Sequence, residues 1–152
     1  MRRAIKLVLT AVVVAVVVAG PALATSTKTP FSASMTVTEV DPGNTWMSGH
    51  VFHIRGEIDE GPVSGDLVGS ITLVVNANID VNSGTGRTFG NFTLATSDVT
   101  WEGSFSGAIT GETSSEGRFI GQGTDGTKLK GAFTQVSADT FDLEGTILSP
   151  HG

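Results

Sequence analysis

Between Trp101 and Leu148, glycines and large apolar residues take turns at every second position. Trp101, Gly103, Phe105, Gly107 and Ile109 fall on one face, and Glu102, Ser104, Ser106, Ala108 and Thr110 on the other. That is the period-2 pattern of a half-buried strand. Leu129, Gly131 and Phe133 repeat it, as do Phe141, Leu143, Gly145 and Ile147. A glycine inside a strand contributes no side chain to packing, so its regular inward placement predicts tight bending or room for a neighbour's ring, as in a closed or strongly coiled sheet.

Upstream the same periodicity continues. Ala33, Met35 and Val37 alternate with Ser34, Thr36 and Thr38, and Asp41-Pro42-Gly43-Asn44 follows as a strong turn. Trp46 and Met47 lead into a second strand, with His50, Phe52, Ile54, Gly56 and Ile58 as its apolar side, Val51, His53, Arg55 and Glu57 as its polar side, and Asp59-Glu60-Gly61-Pro62 as its end. From Leu67 to Val81 the odd positions are apolar or glycine. The run from Asp66 to Val81 would extend roughly 50 Å, so it must curl, bulge or project. With Thr88, Gly90, Phe92 and Leu94 as a matching inward side, residues 66–96 read as one long hairpin. Gly111 to Gly117, Gly121 to Gly126 and Ser137-Ala138-Asp139 read as further turns. The expected fold is all-β, a single antiparallel barrel of seven to eight strands.

The amino terminus carries Arg2, Arg3 and Lys6, an apolar run from Leu7 to Ala19, and Ala22-Leu23-Ala24. It reads as a signal peptide over residues 1–24, followed by a mobile leader over 25–32 and a barrel domain over 33–149. The apolar run falls short of the roughly 20 residues a spanning helix needs, so no membrane insertion is expected once the signal is removed. The expected location is outside the cell or on the exterior of the envelope. Residues 25–152 hold six basic and fifteen acidic residues, a net charge of −9. Nucleic acid and anionic lipid surfaces, which need a basic face, are therefore poor partners. The chain has no cysteine, so stability must come from packing and backbone pairing.

Asp66-Leu67-Val68-Gly69, Lys128-Leu129-Lys130-Gly131 and Asp142-Leu143-Glu144-Gly145 share one charged-Leu-x-Gly form at irregular spacing, as one strand solution reused around a barrel wall. Together with Trp101-x-Gly-x-Phe-x-Gly107, this pattern resembles secreted bacterial and archaeal proteins with the allene oxide cyclase and dirigent type of barrel. The resemblance implies about eight antiparallel strands around a lumen that in some relatives holds a hydrophobic small molecule. No catalytic residue of those families maps onto a matching motif here.

Chemistry-bearing strings are few. Gly121-Gln122-Gly123-Thr124-Asp125-Gly126 fits the dinucleotide-binding glycine pattern, but the alternating Thr127–Val136 that follows reads as strand where such a site needs a helix. A hairpin turn is the better reading, and no cofactor is expected. His50 and His53 lie three apart, which on a regular strand points them to opposite faces. Asp80, Asn82 and Asp125 read as turn formers rather than calcium ligands, so no metal is assigned. His53, Arg55 and Glu57 share a face and would form an acid-base group if that face lined the lumen. A solvated outer face is the simpler expectation.

Three function classes remain. The leading one is a binding protein with Trp101, Phe105, Phe119, Phe133 and Phe141 around a small apolar ligand, although in a small barrel such rings more often fill the interior. The second is a cyclase-like or isomerase-like enzyme using His53, Arg55 and Glu57. The third is a structural or adhesive surface protein in which the 66–96 hairpin supplies a homo-oligomer contact.

Overall fold

The computed structural model describes residues 26–150, so the expected signal peptide lies outside the described residues. Ten strands and no helix make up this stretch: β1 (Lys28–Thr36), β2 (Thr38–Asp41), β3 (Asn44–Ser48), β4 (Val51–Gly65), β5 (Gly69–Asp80), β6 (Thr85–Thr96), β7 (Thr100–Gly111), β8 (Ser114–Gly123), β9 (Lys128–Gln135) and β10 (Thr140–Leu148). Antiparallel neighbours run β4 to β10 in chain order. β1 pairs with β10 on one side and with β4 on the other, closing an eight-stranded barrel. The closing seam is short, with Ala33, Ser34 and Met35 opposite Gly65, Ser64 and Val63.

β2 and β3 lie outside the ring and pair with β4 alone. From Ala33 to Ser48 the chain runs along the edge of β4, interrupted at Val37 and at Pro42-Gly43, and β3 hairpins back into β4. The expected Asp41–Asn44 turn separates β2 from β3, with the Gly43 N–H donating to Asp41 Oδ1 and Gly43 at φ 63°.

Two boundaries differ from the sequence reading. The leader expected over residues 25–32 is strand from Lys28 onward, because Phe31 reaches the core and Lys28–Ser32 pair with Leu148–Glu144. The second strand does not stop at Asp59–Pro62 but continues to Gly65. Gly61 and Pro62 sit where β4 exchanges β2 for β1 as its edge partner. The missing N–H of Pro62 falls in that gap, and a Cβ at position 61 would overlap the Thr36 carbonyl oxygen.

The 66–96 hairpin forms with twelve register pairs, from Gly69 opposite Thr96 to Asp80 opposite Thr85. It curls into the wall. β4 occupies one of its edges and β7 the other, so among the described residues the free strand edge lies at β2 and β3.

Within β7–β10, odd positions from Trp101 to Leu143 point inward as expected. Trp101, Leu129, Phe133 and Leu143 are buried among Phe31, Met35, Val63, Leu67, Ile71, Leu73, Phe92 and Leu94. The inward glycines receive rings: a Cβ at Gly107 or Gly117 would stand 2.7 Å from Phe133, one at Gly121 2.7 Å from Phe92, and one at Gly131 2.7 Å from Phe119. Aromatic side chains therefore lie over the bare backbone of strands one or two places away, which is how a small barrel accommodates so many rings.

Candidate ligand site in the barrel lumen

The inward side chains do not fill the interior. Val75, Phe105, Phe119, Phe141 and Ile147 face the core and remain only half-buried. A cavity of about 560 Å³ runs along the lumen, lined by Phe31, Met35, Leu73, Phe92, Phe105, Phe119, Phe133 and Phe141 among others. The rings meet at angles that keep them from stacking flat. Phe92 is edge-on to Phe119 at 6.0 Å between centroids, and Phe133 is edge-on to Phe105 at 6.2 Å and to Phe141 at 6.3 Å. Such contacts add stability beyond area burial and hold the rings in place.

The two ends differ. Glu112 from the β7–β8 turn and Ala138 and Asp139 from the β9–β10 turn line the cavity, whereas no residue of the Ser97–Val99 or Thr124–Gly126 turns does. The first end is the mouth. At the other end Leu94, Leu129 and Val63 are almost fully buried, and Trp101 is 4% exposed. The Trp101 indole N–H donates to Thr127 Oγ1 at 2.9 Å, and the Thr127 hydroxyl donates to Asp125 Oδ1 at 2.6 Å. This chain satisfies the one polar atom of the indole and ties it to the β8–β9 hairpin. Hydrogen bonds from Thr127 hold the Asp125 carboxyl below the usual range. The glycine string at 121–126 is thus a hairpin end, with Gly126 at φ 83°.

Of the five aromatic residues assigned to the ligand, Phe105, Phe119, Phe133 and Phe141 line the cavity, and Trp101 does not. Trp101 sits at the N-terminal end of β7, packed into the core cluster at the closed end of the barrel.

The group His53, Arg55 and Glu57 is divided. Register slips between Ile54 and Glu57, where Gly56 adopts φ 71°. One extra residue in a strand reverses the face of everything after it. Ile54 faces the lumen as expected, but past the bulge it is Glu57 and Asp59 that line the cavity. Ile58, assigned to the apolar inner side, is displaced from it. Arg55 stays on the outer side, where its Nη1 donates to the carbonyls of Ile54 and Ala77 and its Nη2 to Asn78 Oδ1. The Gly56 N–H donates to Asn76 Oδ1. Arg55 and Asn76 therefore satisfy backbone groups that the bulge removes from the ladder. His53 shares Asn78 Oδ1, at 2.8 Å from its Nδ1, and stacks on Trp46 at 4.9 Å. The Arg55 guanidinium lies 5.5 Å from the ring centroids of both Trp46 and Phe89. His50 is further off, in the β3–β4 turn, with Nε2 3.3 Å from Asp80 Oδ2. Asp80 belongs to the mouth end and Asp125 to the floor, so the two do not converge.

The mouth is acidic. Glu39, Glu57, Asp59, Glu112 and Asp139 line it, and among the described residues no lysine, arginine or histidine does so. Glu57 is pushed up to about 7, first by burial and then by the charges of Asp59 and Glu39. Asp59 is raised by burial and by Glu39. Comparison of the chain with protein-family models, with curated proteins and with solved structures returns no match.

Proposed function

We propose that this protein is an exported binding protein whose barrel lumen takes up a small, largely apolar molecule through the acidic end. The observation that carries the reading is the cavity of about 560 Å³ among the phenylalanines. That volume lies within the range of small-molecule sites, roughly 300–1,000 Å³. Its shape suits the task, with Leu94 and Leu129 lining the closed end and a mouth bordered by turns. The separation of His53 and Arg55 from Glu57 leaves the enzyme reading without its three-residue group. The resemblance to cyclase and dirigent barrels supports the shared architecture of a walled lumen and no particular reaction.

Titration with the neutral apolar dye N-phenyl-1-naphthylamine tests this. The expected result is saturable one-to-one fluorescence enhancement, weakened when Ile109→Trp fills the lumen near its mouth. Absence of saturable enhancement, or enhancement indifferent to that substitution, contradicts the reading.

A further inference from the structure

We propose that the lumen selects molecules that join an apolar body to a cationic head, such as alkylammonium amphiphiles, and rejects apolar anions such as fatty acids. This rests on the lumen-binding reading above and adds the polarity of the ligand.

Two independent features meet at the mouth. The first is the apolar cavity, whose rings would bury a hydrocarbon body. The second is the shared negative sign of the described charges that reach it. Glu57 and Asp59 are half-buried within it, and Glu39, Glu112 and Asp139 stand at the rim. The described basic residues away from the floor end are turned outward: Arg55 is engaged with the bulge carbonyls on the outer face, Arg87 is exposed, next in sequence to the lumen-lining Thr88, and Arg118 is exposed on β8, next in sequence to the lumen-lining Phe119. Lys28, Lys128 and Lys130 are exposed near the floor end.

A carboxylate-headed ligand entering this end would add a like charge to five others where low dielectric strengthens repulsion. An ammonium head would instead relieve the repulsion among Glu57, Asp59 and Glu39. The exposed faces of the phenylalanines add a surface to which quaternary ammonium groups are attracted.

The bulge at Gly56 creates this polarity. Without the extra residue Glu57 and Asp59 would share the outer face with His53 and Arg55, and Ile58 would face the lumen. A structural device that costs ladder hydrogen bonds and recruits Arg55 and Asn76 to replace them places two carboxylates inside.

Isothermal titration calorimetry with three ten-carbon probes tests the proposal: decyltrimethylammonium, decanol and decanoate, at pH 8 and low salt. The expected order is ammonium tighter than decanol by about tenfold or more, the equivalent of one Coulombic contact of about 1.4 kcal/mol, with decanoate weakest. Ammonium binding should tighten from pH 6 to pH 8 as Glu57 ionises. Glu57 shares the mouth with Asp59 on its own strand, Glu39 on β2, Glu112 and Asp139 on the turns, and uncharged Val75 opposite it on β5. Decanol binding should show no such tightening. In Glu57→Gln/Asp59→Asn the ratio of ammonium to decanol affinity should fall towards one. Equal binding of decanol and ammonium, or a ratio that survives the double substitution, overturns the selectivity while leaving lumen binding intact. Failure of all three probes overturns both. The pH comparison uses the unaltered chain, so it stands even if the double variant does not fold.

Discussion

At the scale of single residues, stability turns on glycines under rings and on a few satisfied polar atoms. A methyl group at position 117 would meet both the Ser106 carbonyl and the Phe133 ring. Gly117→Ala should therefore destabilise the barrel by about 1–3 kcal/mol, the usual range for overpacking. The exposed neighbour Ser106→Ala should change little. Urea unfolding of both variants distinguishes this account from one in which the glycines serve only flexibility. Thr127→Val removes the acceptor of the Trp101 indole and leaves a buried donor unpaired. It should cost about 1–3 kcal/mol, whereas equal stability of the variant would mean that the floor does not depend on that bond. Glu57 carries a pH signature. Its carboxyl binds a proton more tightly in the folded chain, so the stability it contributes is present below about 4.5 and is lost as pH rises through about 7. Solvent screening at the mouth limits the effect to the order of 1 kcal/mol. Glu57→Gln should flatten part of the fall in melting temperature over that window, with Asp59 accounting for the remainder.

At the scale of elements, the strands from Thr100 to Leu148 were legible because their face is enforced by burial on one side only. Alternation of Phe, Leu and Gly against charged and small residues leaves one register that buries the rings. Four of the five aromatic residues named from that pattern do line the cavity. The failures cluster on β4. His53, Arg55 and Glu57 alternate in sequence as though on one face, and only the backbone bend at Gly56 separates them. A glycine between Arg55 and Glu57 in an otherwise regular strand is itself a bulge signal. The side chains that stabilise the bulge, Asn76 and Asn78, stand in a different strand, where sequence spacing cannot pair them with it. Likewise Gly61-Pro62 has turn composition, and its role as a partner-switch point depends on where β1 and β2 end. Arg55→Met should test the bulge. It strips two carbonyls and Asn78 of their donor and should cost about 1–3 kcal/mol, with enhanced amide exchange confined to Ile54–Glu57 and its β5 partners. Uniform exchange over the barrel would instead place Arg55 outside the support of this bend.

On the scale of the whole molecule, eight strands make a barrel just wide enough to be filled by its own side chains. This one is filled at the floor and hollow above it. The difference arises from the distribution of side chains along the axis: Trp101, Leu94, Leu129 and Val63 crowd one end, while the phenylalanines nearer the mouth lie over glycine-bearing strands and leave space between them. The short β1–β4 seam closes the ring, and beyond it β2 and β3 continue along β4 with no partner on their other edge among the described residues. Whether the interior space admits an apolar molecule is best answered by nuclear Overhauser contacts between decanol and the isotope-labelled protein. Contacts from the alkyl chain to the rings of Phe105, Phe119 and Phe141, with none to Trp46 on the outer face, are the predicted result. Bound decanol that touches only the exterior, or no contact to any of the three rings at saturating decanol, would contradict it.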